Sequence, residues 1–367
     1  MSLTTVKLSG FRRGAALTGL LAGVVALAAC SSSSSWSSTP EVGASSPLAT
    51  SLATGSDSWA IVPMAANPAF WQVFVRASTS ATWRLVTPPG VADNGGLVAA
   101  EGGSGLTVAF RPSQDLLFSP LASTTDAGAK WSTGGPIDAA VAESPDALAA
   151  SGGELVTLLT DGTVETSANA GSSWQVIAKP GAIASSAAGR SCGSVTVTSV
   201  SFGASGTDVL AGGTCGTSGT TAIFAYSGGS WQRVKLPVTG QLVRLTQGMA
   251  LVRAKAGLTE LSATNWNASS PLPVSSTIKA SGTLAGGGAW VVLSNGAGAT
   301  IAGAGQQWQL LPPLPAKTTV LAAGPGGSTQ ALAVSGATLT VWQLAPESTL
   351  WTKVQAINVP IQYGSSS

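Results

Sequence analysis

The chain has 367 residues, 44% of them apolar and 9% charged, with 17 Lys and Arg against 15 Asp and Glu, 46 glycines, 12 tryptophans and no histidine. So little charge beside so much apolar and aromatic surface excludes a disordered or coiled-coil chain, and the length suits one large domain or two ordinary ones. Without histidine the commonest general base, proton shuttle and metal ligand are all missing, which disfavours much enzyme chemistry and gives no reason to expect a metal or a cofactor.

Lys7, Arg12 and Arg13 precede the apolar run Ala15 to Ala29, too short to span a bilayer comfortably, and this is the pattern of a secretory leader. The run ends in Leu27-Ala28-Ala29-Cys30. That tetrapeptide resembles the lipobox of bacterial lipoproteins, which implies a lipidated Cys30 after cleavage of residues 1–29 and placement on the extracytoplasmic side of a bacterial membrane. The residues flanking Arg12-Arg13 match a twin-arginine signal poorly, so the pair reads as an ordinary basic segment. Residues 30–51, rich in Ser with Pro40 and Pro47, have little to bury and read as a tether. Its reach is roughly 25 Å, enough to hold a domain clear of the headgroups. Loss of the leader removes three basic residues and no acidic one, leaving 14 against 15, so nucleic-acid binding loses its electrostatic basis.

From Trp83 onward a period emerges. Trp83, Trp131, Trp174, Trp231, Trp266, Trp308 and Trp351 are spaced by 48, 43, 57, 35, 42 and 43 residues. Most open a short β-prone segment that runs into proline or glycine, as in Trp83-Arg84-Leu85-Val86 before Pro88. Upstream, small apolar residues recur before a glycine pair: Leu97 to Ala100, Ala147 to Ala150, Val209 to Ala211 and Thr283 to Ala285. The clearest unit adds the Asp161-Gly162 turn, a strong hairpin signal. Four short strands in about 45 residues, repeated with no helical periodicity, predict an all-β fold, a β-propeller of seven blades with four antiparallel strands each. The repeated Trp is expected to pack between neighbouring blades with its N–H near a polar edge. The domain is placed at residues 52–363, with 364–367 as a tail. Trp59 to Val62 is expected to begin the first blade and Ile357 to Gln362 to close the ring beside it.

Two turns carry a further pattern. Thr124, Asp126, Gly128 and Trp131 recur as Ser167, Asn169, Gly171 and Trp174 at the same spacing. They resemble Asp-box hairpins, Ser/Thr-x-Asp-x-Gly-x-x-Trp, of sialidase-like propellers and photosystem II assembly-factor-like proteins. The side chain of the Asp or Asn accepts turn amides and Gly takes the left-handed position. The resemblance implies a structural turn away from the ligand face. Elsewhere the pattern degrades, to Tyr226 to Trp231 and Ala302 to Trp308.

Outside the cytoplasm Cys192 and Cys215 are most simply a disulfide around a strand, a turn and a strand. A sialidase-like site needs an arginine trio, a Tyr paired with Glu and an acidic Asp. Phe110-Arg111-Pro112 only partly echoes that family's entry motif, Tyr226 sits beside a box-like turn and Tyr363 in the tail. The last signal is charge: ten acids and two bases between Asp93 and Glu165, then eight bases and two acids from Arg233 onward. Closed into a ring, these become opposed sectors suited to orienting a protein partner or an anionic glycan. Arg244, Arg253 and Lys255 form the candidate anion or partner patch. The reading is a lipid-anchored, non-catalytic binding or scaffolding propeller that engages an envelope protein or glycan. A sialidase-like glycoside hydrolase and an assembly factor for a membrane complex are the alternatives.

Overall fold

Six of the seven periodic tryptophans stand at or inside the start of a blade's fourth strand. The computed structural model describes residues 49–54, 57–64, 70–78, 80–88, 97–102, 105–110, 121–133, 145–303 and 305–360. Cys30, Arg111, Tyr363, most of the tether and the tail lie outside them. The described residues form seven antiparallel sheets in chain order. Blade one comprises Thr50–Thr54, Asp57–Met64, Phe70–Arg76 and Arg84–Leu85, and blade two Leu97–Gly102, Gly105–Phe110, Leu121–Thr124 and Ser132–Thr133. Blade three follows with Pro145–Ser151, Glu154–Leu159, Val164–Ser167 and Gln175–Ala178, and blade four with Val195–Phe202, Val209–Cys215, Thr220–Ser227 and Ser230–Arg233. Blade five has Gly240–Leu245, Met249–Ala254 and Gly257–Ser262, blade six Ile278–Leu284, Gly288–Leu293, Gly298–Ile301 and Gln309–Leu310, and blade seven Thr318–Ala323, Thr329–Ser335, Thr338–Leu344 and Thr352–Asn358. The fold is a seven-bladed β-propeller.

The core is a series of seams between blades, and each periodic Trp fills one. Trp131 packs against a cluster that includes blade-one residues Trp59, Ile61 and Val73, and Trp174 against one that includes Ala109 and Leu121 of blade two. Trp231 joins blade-three residues Val156 and Leu158, Trp266 joins Leu210 and Ile223 of blade four, and Trp308 joins Met249 and Leu251 of blade five. Each of these clusters combines residues of the ring's own blade and of the preceding one, so adjacent blades bury each other's apolar faces, as stacked repeats must. The expectation of a polar partner holds for two indoles. Trp83 donates to Gln330 Oε1 at 2.8 Å and Trp131 to the Val86 carbonyl at 2.8 Å. The N–H groups of Trp174, Trp231, Trp308 and Trp351 are buried with no acceptor among the described residues.

Four expectations are corrected. The first strand starts at Thr50, and Trp59 belongs to the second strand of its blade. Ile357 does not return to blade one: it pairs with Leu339 inside blade seven, whose four strands are consecutive, while residues 361 and 362 lie outside the described set. Val209 to Ala211 opens a second strand, and its Gly212-Gly213 lies mid-strand rather than in a turn. A Cβ at Gly213 would stand 1.9 Å from the Thr196 carbonyl oxygen, so the backbones approach too closely for any side chain. Two short helices, Ala182–Ser185 and Ala187–Arg190, precede this blade and account for the long spacing to Trp231. Finally, Trp266 opens no fourth strand. Pro271 and Pro273 lack the N–H groups a ladder needs, and only isolated bridges, Leu258 with Leu272 and Leu261 with Ala268, mark that edge.

Ring closure uses side chains. Gln355, on the outer strand of blade seven, donates to the Trp83 carbonyl at 2.8 Å and accepts the Trp83 N–H at 2.9 Å, as a neighbouring strand's backbone would. Nearer the axis, Ser51 Oγ donates to the Leu321 carbonyl at 2.6 Å and accepts the Trp290 indole N–H at 2.7 Å. The buried Arg76 guanidinium, whose pKa is lowered by burial despite the nearby Asp57, donates to the Ala323 carbonyl at 3.0 Å.

The disulfide is formed between Cys192 and Cys215, with Cα atoms 4.9 Å apart. It joins the segment after the second short helix to the end of a blade-four strand. The enclosed chain holds the first strand, the turn and the second strand of that blade.

Candidate functional site

Four antiparallel strands in chain order place the 1–2 and 3–4 turns on one face of the disc and the 2–3 turns and interblade connections on the other. The two Asp or Asn turns therefore lie on the first face. In blade two, Thr124 Oγ1 accepts the Gly128 N–H at 2.9 Å and donates to Asp126 Oδ1 at 2.9 Å, while Asp126 Oδ1 accepts the Lys130 N–H at 2.9 Å. Blade three repeats this: Ser167 Oγ accepts the Gly171 N–H at 2.8 Å, and Asn169 Oδ1 accepts the Ser173 N–H at 2.9 Å. Both glycines have positive φ, and so do Ala127 and Ala170 beside them. A Cβ on Gly128 would stand 2.6 Å from Val86 Cβ, and one on Gly171 2.7 Å from Leu121 Cδ1, so each turn is pressed onto the preceding blade. Backbone Lys130 and the Thr124 hydroxyl, bonding its charged form, hold the Asp126 carboxyl below the ordinary carboxylate range. Its contribution to stability is present above that ordinary range and lost as pH falls through the lowered pKa. Blade four replaces the box by a two-residue Gly228-Gly229 turn with both φ angles positive, which suits a tight hairpin.

Two clefts open on this same face, so a ligand in either would meet the side of the disc that carries these turns, contrary to the placement the resemblance implies. One, of about 260 Å³, lies between blades three and four, where Ser167 and Ala168 of the turn form part of its wall. Glu154, Thr166, Gln175, Thr207 and Tyr226 supply its polar groups. The Tyr226 ring is backed by Trp231, with centroids 5.0 Å apart and planes tilted by 46°. The other cleft, of about 270 Å³, lies near the axis between the Thr246 to Gly248 turn, the Gly286 to Gly288 turn and Ala53. Thr283 lines it, and its buried hydroxyl has no hydrogen-bond partner among the described residues. Neither cleft has an arginine or lysine in its lining.

The proposed cationic patch is divided. Arg244 stands on the innermost strand of blade five, and its guanidinium donates to the Ser281 carbonyl at 2.8 Å, to Ser281 Oγ at 3.2 Å and to Thr50 Oγ1. It clamps blade five to blades six and one, which leaves little for an anion. Arg253 ends the next strand half-buried, and the exposed Lys255 lies in the 2–3 turn, on the face away from the clefts. In the sequence Tyr226 stands out only as a candidate nucleophile, and Glu154, Thr166, Gln175 and Thr207 do not stand out at all. Their common signal is position, at or near strand ends beside the 1–2 and 3–4 turns of adjacent repeats.

Glu260 is a separate electrostatic feature. Its side chain is 0% exposed on the third strand of blade five, and neither carboxylate oxygen makes a hydrogen bond of ordinary geometry among the described residues. Burial raises its pKa, and the backbone N–H of Gly305 only partly offsets this. The cost of ionising it is absent below the ordinary carboxylate range and grows as pH rises through the raised pKa. Glu260→Gln is therefore expected to stabilise the domain at pH 7 by about 1–3 kcal/mol and to change nothing at pH 4. Urea titrations at the two pH values check this.

No protein-family model matches the chain, and neither does any curated protein sequence. Solved structures do resemble it. A GH74 xyloglucanase from Xanthomonas campestris matches with a TM-score of 0.54 and 13% identity, over 83% of this chain and 54% of that one. YCF48 from Cyanidioschyzon merolae matches at 0.51 and 12%, over 82% and 98%. The β-propeller domain of the trilobed protease from Pyrococcus furiosus, described as having an open velcro topology, matches at 0.50 and 9%, over 84% and 98%. At such identities the likeness shows the propeller fold alone.

Proposed function

We propose that this chain is a lipid-anchored propeller on the extracytoplasmic side of a bacterial membrane that binds an envelope protein or glycan without catalysing a reaction. The observation that carries the reading is the polarity of the disc. Both clefts open on the face of the 1–2 and 3–4 turns, whereas the first strand starts at Thr50 and the last ends at Asn358, both on the other face. A tether from Cys30 that reaches Thr50 thus attaches behind the binding face and presents the clefts outward.

One observation favours glycoside hydrolysis: Tyr226 and Glu154 share a cleft. An arginine cluster that would hold an anionic sugar is not part of that lining, and Arg244 is engaged at the axis. Resemblance to photosystem-associated propellers motivates the assembly-factor alternative and rests on fold analogy alone. Site-specific photo-crosslinking from each face in intact membranes tests the proposal. Hydrolysis of an aryl glycoside panel, abolished by Tyr226→Phe, would replace it with the enzymatic reading.

A further inference from the structure

We infer that the cleft between blades three and four is a subsite for an uncharged oligosaccharide. The inference rests on the binding reading above and names the ligand class and the residues that hold it. The cleft's volume of about 260 Å³ is just below the roughly 300–1,000 Å³ of sites that enclose a drug-sized ligand. It therefore takes about one ring of a longer chain whose remainder runs over the open face.

The polar groups match sugar hydroxyls, each of which both donates and accepts. Glu154 offers a carboxylate that only accepts, Gln175 an amide that does both, and Thr166 and Tyr226 hydroxyls that do both. None of these four side chains has a hydrogen-bond partner within the protein among the described residues, so their capacity is free for a ligand. Thr207 is exposed and shares its hydroxyl only with Ser205 at 3.0 Å. The aromatic wall completes the site. Tyr226, held by Trp231, gives the apolar face of a pyranose a rigid surface with little rotamer entropy to lose.

Charge decides against the other classes. An anionic sugar would meet the Glu154 carboxylate with no cation in the lining, and a basic peptide would find a single exposed carboxylate. The wall from blade three is the side-chain face of its outer strands, where Thr166 pairs with Gln175, rather than a free backbone edge that an extended peptide could join.

The test is binding of the full mature chain to chitotetraose, cellotetraose, maltotetraose and mannotetraose by saturation-transfer NMR and calorimetry. Sialyllactose and tetragalacturonate serve as the anionic arm and a Lys-rich decapeptide as the cationic one. At least one neutral tetrasaccharide is expected to bind, with affinity at least ten-fold lower in Tyr226→Ala and in Glu154→Gln and unchanged in Lys255→Ala on the opposite face. Tyr226→Phe, which keeps the ring, should retain most of the affinity and controls for folding. Binding of none of the neutral sugars, preference for either charged arm, or affinity indifferent to Tyr226→Ala and Glu154→Gln overturns the inference. If a protein partner crosslinks to the cleft face while no sugar binds, this inference fails and the binding reading stands. If nothing crosslinks there, the binding reading itself fails.

Discussion

Trp83→Ala is expected to cost the domain about 3–5 kcal/mol, the range for deleting a large buried aromatic side chain. Trp83 is 2% exposed and lies in a cluster with Val320, Leu321, Leu332 and Leu339 of blade seven. Its removal empties the seam that joins the first blade to the last and leaves Oε1 of Gln330, a residue 0% exposed, without its indole donor, while its amide still reaches Gln343. With no strand shared between its ends among the described residues, the ring depends on this seam more than on any other, because the other seams are also held by chain continuity. Trp83→Phe keeps most of the ring but loses the bond to Gln330, and should cost about 1–3 kcal/mol. Gln355→Leu, which removes both bonds to the Trp83 backbone, should fall in the same range. Denaturant unfolding followed by tryptophan fluorescence and circular dichroism measures all three. A loss below about 1 kcal/mol for Trp83→Ala would mean that the ends are tied elsewhere.

Loss of the disulfide is expected to be nearly as severe. The bond closes a loop across a sequence separation of 23, for which the chain-entropy relation gives on the order of 3 kcal/mol. Cys192→Ser with Cys215→Ser, and reduction of the unmodified protein, should lower stability by the same amount, and the two treatments should not add. Blade four should be the first to open, because the bond anchors the irregular helical segment in front of its first strand. Hydrogen exchange resolves that order. Free thiols at both positions in protein isolated without reductant would contradict the assignment.

The sequence made the fold legible because one large residue, Trp, recurs where every repeat meets its predecessor. Strand identity was less legible. Gly212-Gly213 looked like the turn after a first strand, yet these glycines serve close backbone contact with Thr196, which composition does not distinguish from a turn. Closure was misread because the pattern of Ile357 to Gln362 shows a β-prone run but not its neighbour. Only tertiary contact reveals that Gln355 replaces a shared sheet. The candidate site was the least legible part. Arg244 stood out as a cation, but its role depends on Ser281 and Thr50, which lie 37 and 194 residues away in the chain. Glu154, Gln175 and Tyr226 come together only because blades three and four are adjacent, and each alone reads as an ordinary surface residue.

If one face of the disc does the binding, crosslinking from defined positions on both faces distinguishes it from the other. A photoreactive phenylalanine is placed at Ser172 or Thr207, in turns of the cleft face, and at Lys255 or Ala337, in 2–3 turns of the opposite face. Intact membranes are irradiated and adducts resolved by mass. Discrete adducts, protein or glycan, are expected from Ser172 and Thr207 and none from Lys255 and Ala337. Adducts confined to Lys255 and Ala337, or equal from both faces, would contradict binding by the cleft face.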